Sequence, residues 1–260
     1  YGTTLAQLLG LVIIVVFRLR GNTQLRLSAL LEHSLTHAWG RILKLGAPQS
    51  FNFVGLSLGS AAIMTALQMV SSQSCETTVS AYGFITRIMT FAYLPLLGLS
   101  FAMQTITGNN FGAKQWQRAK ASLLVSLVMS LIYCIIIQIL FVRYAAQIGG
   151  MFVDDQQVVG ETLRIFSVVM SVFFLPGPLM IIGSYFQAIG DAGRAVILGL
   201  SKTYLFAIPL TFVLANAWGE GGIWGVGPLS EAVLLLLTAV SLFANARQWG
   251  LFHMGAEGRA

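Results

Sequence analysis

Apolar residues come in long blocks separated by short polar stretches. The blocks run roughly 3–17, 44–70, 80–107, 120–142, 161–188, 195–217 and 222–246. A helix needs about 20 mostly apolar residues to cross the hydrocarbon core of a bilayer. The blocks are continuously apolar rather than alternating, so they read as helices that satisfy their own backbone hydrogen bonds, not as barrel strands. The pattern predicts an all-α integral membrane protein with about seven transmembrane helices, the first of them short. One stretch differs. Across Gly21–Gly40 and into the following block, Leu27, Leu30, Leu31, Leu35, Ala38 and Ile42 recur at helical spacing, while Arg26, Glu32, His33, Thr36 and His37 fill the other face. This is the pattern of an amphipathic helix lying in the membrane interface and joining two helix groups.

Composition agrees. Only 9% of the 260 residues are charged and 56% are hydrophobic, with a mean hydropathy of +0.79. A soluble domain carries about 25% charged residues, because its surface needs them. The net charge of +6 does not indicate a nucleic-acid partner, since the basic residues form no dense cluster with interleaved aromatics. They sit between the apolar blocks, and 12 of the 15 fall in connections on one side: Arg18, Arg20, Arg26, Arg41, Lys44, Lys114, Arg118, Lys120, Arg194, Lys202, Arg247 and Arg259. The positive-inside bias places that side, and the C-terminus, in the cytoplasm. Arg87, Arg143 and Arg164 are the exceptions. Arg87 and Lys202 each lie about two turns inside a block, where a long side chain snorkels toward the interface; for Arg87, pairing with an acid is the alternative. The chain opens at Tyr1, inside an apolar run with no basic region before it or small-residue cleavage site after it. It reads as a helix already under way in a longer protein, not as a signal peptide.

All six prolines lie in or beside the blocks. Pro95, Pro176 and Pro178 are the hinge candidates, with Pro176-Gly177-Pro178 foremost, because an interior proline removes a backbone hydrogen bond and bends the helix. Gating and plain packing both account for such bends, since proline is common in membrane helices. Gly55, Gly59 and Ser60 offer the small-residue face on which helices approach closely.

Ionisable groups at membrane depth are costly and mark candidate sites. Glu231, about a third of the way into its block, is the clearest. It reads either as a proton- or cation-responsive group or as a neutral acid bonded at a helix contact. Gln49, Asn52, Tyr185, Gln187 and Tyr204 supply amides and phenols that either line a polar cavity or bridge helices. Cys75, placed in a loop, and Cys134, inside a block, have no metal-site spacing. His33 and His37 lack a third ligand. Gly108-Asn109-Asn110-Phe111-Gly112-Ala113-Lys114 lacks the spacing and the following Ser/Thr of a phosphate loop. No nucleophile–base or metalloenzyme constellation is present in the sequence, so no enzyme activity and no cofactor are expected.

The stretch Leu94-Pro95-Leu96-Leu97-Gly98-Leu99-Ser100-Phe101-Ala102, continuing through Gly108-Asn109-Asn110-Phe111-Gly112-Ala113 to Arg118-Ala119, resembles a hallmark of the multidrug and toxic compound extrusion (MATE) family, at its proline-bearing eighth helix. Gln187-Ala188-Ile189-Gly190-Asp191 resembles the end of that family's tenth helix, Gly221-Gly222-Ile223-Trp224-Gly225 the start of its last, and Leu45-Gly46-Ala47-Pro48 the start of its seventh. The resemblance implies twelve helices in two six-helix lobes, of which this chain holds the end of the sixth helix (1–18), a cytoplasmic inter-lobe linker (19–43), the complete C-terminal lobe (44–247) and a cytoplasmic tail (248–260). It implies plasma-membrane export of cationic or amphipathic drugs by alternating access, in exchange for protons or sodium ions, and an N-terminal lobe as partner. The sodium-coupled branch carries acids in its seventh helix and midway along its tenth. Block 44–70 has no acid, and block 161–188 has only Glu161, at its edge. Protons are therefore the expected coupling ion. The alternatives are a lipid-linked oligosaccharide flippase of the same superfamily, which calls for a more cationic cavity, and a non-transporting membrane fragment.

Overall fold

A computed structural model describes residues 2–20, 39–70, 75–152 and 156–244. The amphipathic linker with His33 and His37, and the tail 248–260, lie outside the described residues. Two units are distinguished, Tyr1–Leu43 and Lys44–Ala260. The first contains α1 (Gly2–Arg20), whose apolar stretch Thr4–Phe17 is shorter than a membrane span.

The second unit is built from α2 (Trp39–Val70, whose first residues belong to the other unit), α3 (Cys75–Gly112), α4 (Trp116–Phe152), α5 (Gln156–Met170), α6 (Pro176–Ala188), α7 (Ala192–Leu200), a π-helical turn Ser201–Ala207, and α8 (Ile208–Ala244). No strand occurs among the described residues. Cys75 opens α3 rather than lying in a loop.

Among the described residues, four stretches are long and apolar enough to cross a membrane: Gln49–Val70, Glu76–Gly112, Trp116–Ala145 and Ala192–Phe243. Seven blocks became four for identifiable reasons. The first is short. Block 161–188 is interrupted: residues 171–175 form tight turns with i→i+3 hydrogen bonds such as Phe173 N to Met170 O, and helix resumes at Pro176. Pro176 and Pro178 thus stand in the first turn of α6, where a missing N–H costs nothing, and not inside a continuous helix. The last two blocks join in one 52-residue run, which folds back at Gly219 (φ 64°, ψ −145°). Lys202 and Glu231 are 29 residues apart and in contact, whereas a straight helix would separate them by about 44 Å.

The interior contains two apolar clusters. One gathers Leu67 of α2, Ile85 and Leu96 of α3, Cys134 of α4, Ile165 and Met170 of α5 and Trp224 of α8. The other gathers Met103 of α3, Ile181 and Phe186 of α6, Leu198 of α7 and Leu234 of α8. Outward faces are equally apolar: Leu124, Val125, Val128, Ile132, Ile136 and Ile139 of α4 are all exposed. Such a surface is stable against lipid and costly against water.

Freed backbone groups find partners in neighbouring helices, as a low-dielectric surrounding requires. Pro95 sits inside α3 and removes the donor to Phe91; the next carbonyl, Ala92 O, accepts from Tyr133 Oη at 2.9 Å. In the interrupted segment, Ser171 O accepts from Gln138 Nε2 at 3.1 Å. Between helices, the Ser100 and Ser184 hydroxyls meet at 2.6 Å. Arg164, an exception to the charge bias, is held by two acids, Glu161 at 2.8 Å and Glu220 just past the Gly219 turn.

Candidate functional site

The site begins with a local departure from α-helix. Between α7 and α8, residues 201–207 wind as a π-helix, a geometry often found at functional positions. It carries Lys202 and, two residues on, Tyr204. Gly55 of α2 lets this segment approach: a Cβ there would lie 3.0 Å from Thr203 Cγ2 and 3.1 Å from Tyr204 Cε2. Tyr204 Oη then donates to Phe51 O at 2.9 Å. One turn earlier, Gly199 makes room for the Asn52 amide, whose Nδ2 would lie 3.3 Å from an added Cβ. Asn52 and Tyr204, both candidates from sequence, therefore both lie where α2 packs on the α7–π segment, Asn52 against Gly199 and Tyr204 against Phe51 and Gly55. Gln49, one turn before Asn52 on α2, is half-buried.

Glu231 is 5% exposed. One of its oxygens, Oε1, pairs with Lys202 Nζ. The other, Oε2, is buried with no hydrogen-bond partner, as is the neighbouring Ser230 Oγ. Tyr93 of α3 lies close enough to feel both charges, and Cys134 of α4 feels Glu231. Lys202 stands ten residues into the α7–π run and Glu231 twelve residues past Gly219. At 1.5 Å per residue both sit about 15–18 Å along their spans, near mid-membrane. Lys202 does not snorkel; it turns inward to the acid. The sequence reading missed it as a site residue, because a lysine about two turns inside a block reads as one that snorkels.

The other predicted residues go elsewhere. Tyr185 is buried in the second apolar cluster, its ring 6.0 Å from Phe186. Gln187 is half-buried near the end of α6, and its carbonyl accepts from Gly190 N at 3.2 Å. Pro95 is exposed on α3. A groove of about 590 Å³ lined by Ile135, Gln138, Ile139, Val142, Arg143 and Phe174 contains none of them. No group of three metal-ligating side chains occurs among the described residues.

The short motifs have structural causes. In Gln187–Asp191, Gly190 takes a positive φ of 81°, and Asp191 caps α7 by accepting from Arg194 N at 3.2 Å. Its carboxylate also pairs with the Arg194 guanidinium at 3.1 Å. In Asn109–Lys114, Ala113 N bonds Asn109 O at 3.0 Å and Lys114 turns the chain at φ 59°. In Gly221–Gly225, Gly222 passes under the incoming half of α8, where a Cβ would run into Leu214 O.

Comparison with known proteins gives one consistent answer. The family model MatE matches residues 48–213. The probable multidrug resistance protein YoeA of Bacillus subtilis is 24% identical over 198 residues, 75% of this chain and 42% of that protein. The probable multidrug resistance protein NorM of Halalkalibacterium halodurans is 23% identical over 95% of this chain and 52% of its own length. A solved MATE multidrug transporter, DinF-BH in complex with a dye, superposes with a TM-score of 0.78 at 27% identity, covering 95% of this chain and 54% of that one. A MATE crystal structure in the straight conformation shares the fold, with a TM-score of 0.78 at 17% identity over 91% of this chain and 53% of that one. The chain spans about half the length of the relatives it matches. With the matched segment covering most of the chain and an all-helical membrane fold to go with it, the chain belongs to the MatE family of multidrug and toxic compound extrusion transporters.

Proposed function

We propose that this chain supplies the C-terminal lobe of a plasma-membrane antiporter that exports cationic or amphipathic drugs in exchange for protons. The observation that carries the reading is the family match over residues 48–213, joined to a fold that covers about half of a complete MATE transporter. A substrate cavity in such a protein lies between two lobes, and alternating access rocks one against the other. The interrupted α5–α6 segment, and the backbone hydrogen bond that Pro95 removes within α3, provide compliant points for that rocking. Protons are favoured over sodium because residues 44–70 hold no acid that would join a sodium site in this lobe. The carboxylate that carries the proton then belongs to the N-terminal lobe. The cytoplasmic side is the one bearing Lys114, Arg118 and Arg194, and the C-terminus lies there too.

The test is reconstitution of the full-length gene product in liposomes loaded with acid. Ethidium is expected to accumulate inside against its gradient and to leave when nigericin collapses the pH difference. A sodium gradient alone is expected to move none. Ethidium transport driven only by sodium would overturn the coupling, and no transport on either gradient would overturn the function.

A further inference from the structure

Arg143 stands apart among the basic residues. Like Arg164, it departs from the charge bias. Arg164 is held by Glu161 and Glu220, whereas Arg143 enters no ion pair among the described residues. It is exposed, near the end of the Trp116–Ala145 span. A guanidinium is charged at every physiological pH, and its planar fork matches a carboxylate or a phosphate.

Depth decides which anion can reach it. Between Lys120 and Arg143, α4 holds no charged residue. That stretch rises about 35 Å, slightly more than the hydrocarbon core of a bilayer. With Lys120 at one headgroup layer, Arg143 stands at the other. The next residue, Tyr144, is exposed and breaks the straight helix with φ −114° and ψ 17°. Tyrosine is enriched at that level of a membrane, where its ring is apolar and its hydroxyl wet.

Below Arg143 the surface is concave. The groove of about 590 Å³ has Arg143 at its head and Ile135, Ile139, Val142 and Phe174 along its walls. Ile135 lies eight residues before Arg143, about 12 Å deeper in the membrane, and one leaflet's share of the hydrocarbon core is about 15 Å. The groove is therefore as deep as an acyl chain needs. Its far wall is the interruption at 171–175, which contributes Phe174. Gln138, also in the lining, donates from Nε2 to Ser171 O at 3.1 Å. A carbonyl of the interruption is thus paired within the protein, and a hydrocarbon chain can lie beside it without leaving it unpaired.

A cation at headgroup level above an apolar trough fits an amphiphile whose anionic head and hydrocarbon tail are joined in the same order. We propose that this groove binds an anionic phospholipid, its phosphate on Arg143 and one acyl chain along Ile135, Ile139, Val142 and Phe174. The lipid belongs to the leaflet away from Lys114, Arg118 and Lys120, the outer one in the orientation proposed above. It bridges α4 to the interrupted segment between α5 and α6. The site requires only that these helices cross a bilayer and is independent of what the protein exports.

Two photoreactive lipids test it. Phosphatidylglycerol and phosphatidylcholine carrying the same diazirine-bearing acyl chain are placed, at equal low mole fraction, in phosphatidylcholine nanodiscs that hold the full-length protein. After irradiation, adducts are mapped by peptide mass spectrometry. The phosphatidylglycerol probe is expected to label residues 135–142 and Phe174 about fivefold more than the phosphatidylcholine probe, the ratio that one arginine's attraction for anionic lipid gives. Arg143→Gln is expected to bring that ratio to about one while both probes still label the groove, which reports that it is intact. Arg143→Lys, which keeps the charge and loses the fork, is expected to fall between the two. Equal labelling by the two probes in wild type would overturn the proposal. So would a phosphatidylglycerol preference that Arg143→Gln leaves in place. A groove that neither probe labels, while Leu124 and Val128 on the same helix are labelled, would show that another part of the protein covers it, and would overturn the proposal as well.

Discussion

Lys202 and Glu231 each look anomalous alone, a cation and an acid in apolar spans, and become intelligible as a pair. Removing one partner of a buried pair costs more than removing both, because the survivor keeps its desolvation penalty. Lys202→Met therefore destabilises the protein, by roughly 1–3 kcal/mol once the partial exposure of Lys202 is allowed for. Lys202→Met with Glu231→Leu recovers most of that loss. Unfolding midpoints in detergent for the two single variants and the double variant check this; a double variant as unstable as the sum of the singles contradicts the pairing. At this scale Glu231 was legible from sequence, since an acid amid leucines announces itself. Lys202 was not, because a lysine two turns from a block's end has an ordinary alternative in snorkelling, and only the fold-back at Gly219 brings the acid within reach. Asn52 and Tyr204 were legible as polar residues but not as parts of one helix packing, since glycine positions on facing helices decide that packing.

Elements are shaped by close approach. Gly222 has no room for a side chain, as a Cβ there would overlap Leu214 O. Gly222→Ala is expected to destabilise by about 1–3 kcal/mol or more, as overpacking does. Gly225→Ala, in open space, is expected to be near neutral, and thermal unfolding of the two side by side gives the comparison. Gly177 packs α6 against α3 and α4: a Cβ would meet Cys134 Sγ at 2.6 Å, Ser130 O at 3.2 Å and Leu96 Cδ2 at 3.3 Å. Gly177→Ala should lower stability, and adding Cys134→Ala should recover part of it, because the nearest obstacle is gone. Purely additive effects in that double-mutant cycle would show that the two residues do not touch. The apolar blocks made the helices readable in advance, yet the interruption at 171–175 was not. Hydropathy is blind to the interruption, and Pro176 was read as a kink when it is a helix start.

At the scale of the molecule, charge and greasiness do the organising. Apolar faces turn outward as well as inward, and the basic residues gather at the ends shared by α3, α4, α6 and α7. Arg164 departs from that bias because Glu161 and Glu220 neutralise it locally, which no count of lysines and arginines could reveal. The fold class followed from the block pattern alone, and the motifs that carried the family resemblance proved to be turns and caps. The site at mid-membrane, the lobe and its orientation all depend on these helices crossing a bilayer with one set of ends in the cytoplasm. The direct measurement is thiol labelling of the full-length protein in intact cells, with single cysteines at Gln115 and Gln157 in a background where Cys75 and Cys134 are replaced. A membrane-impermeant maleimide is expected to label the Gln157→Cys protein from outside and the Gln115→Cys protein only after the cells are opened. Labelling of both positions from the same side, or of Gln115→Cys from outside, would contradict the account.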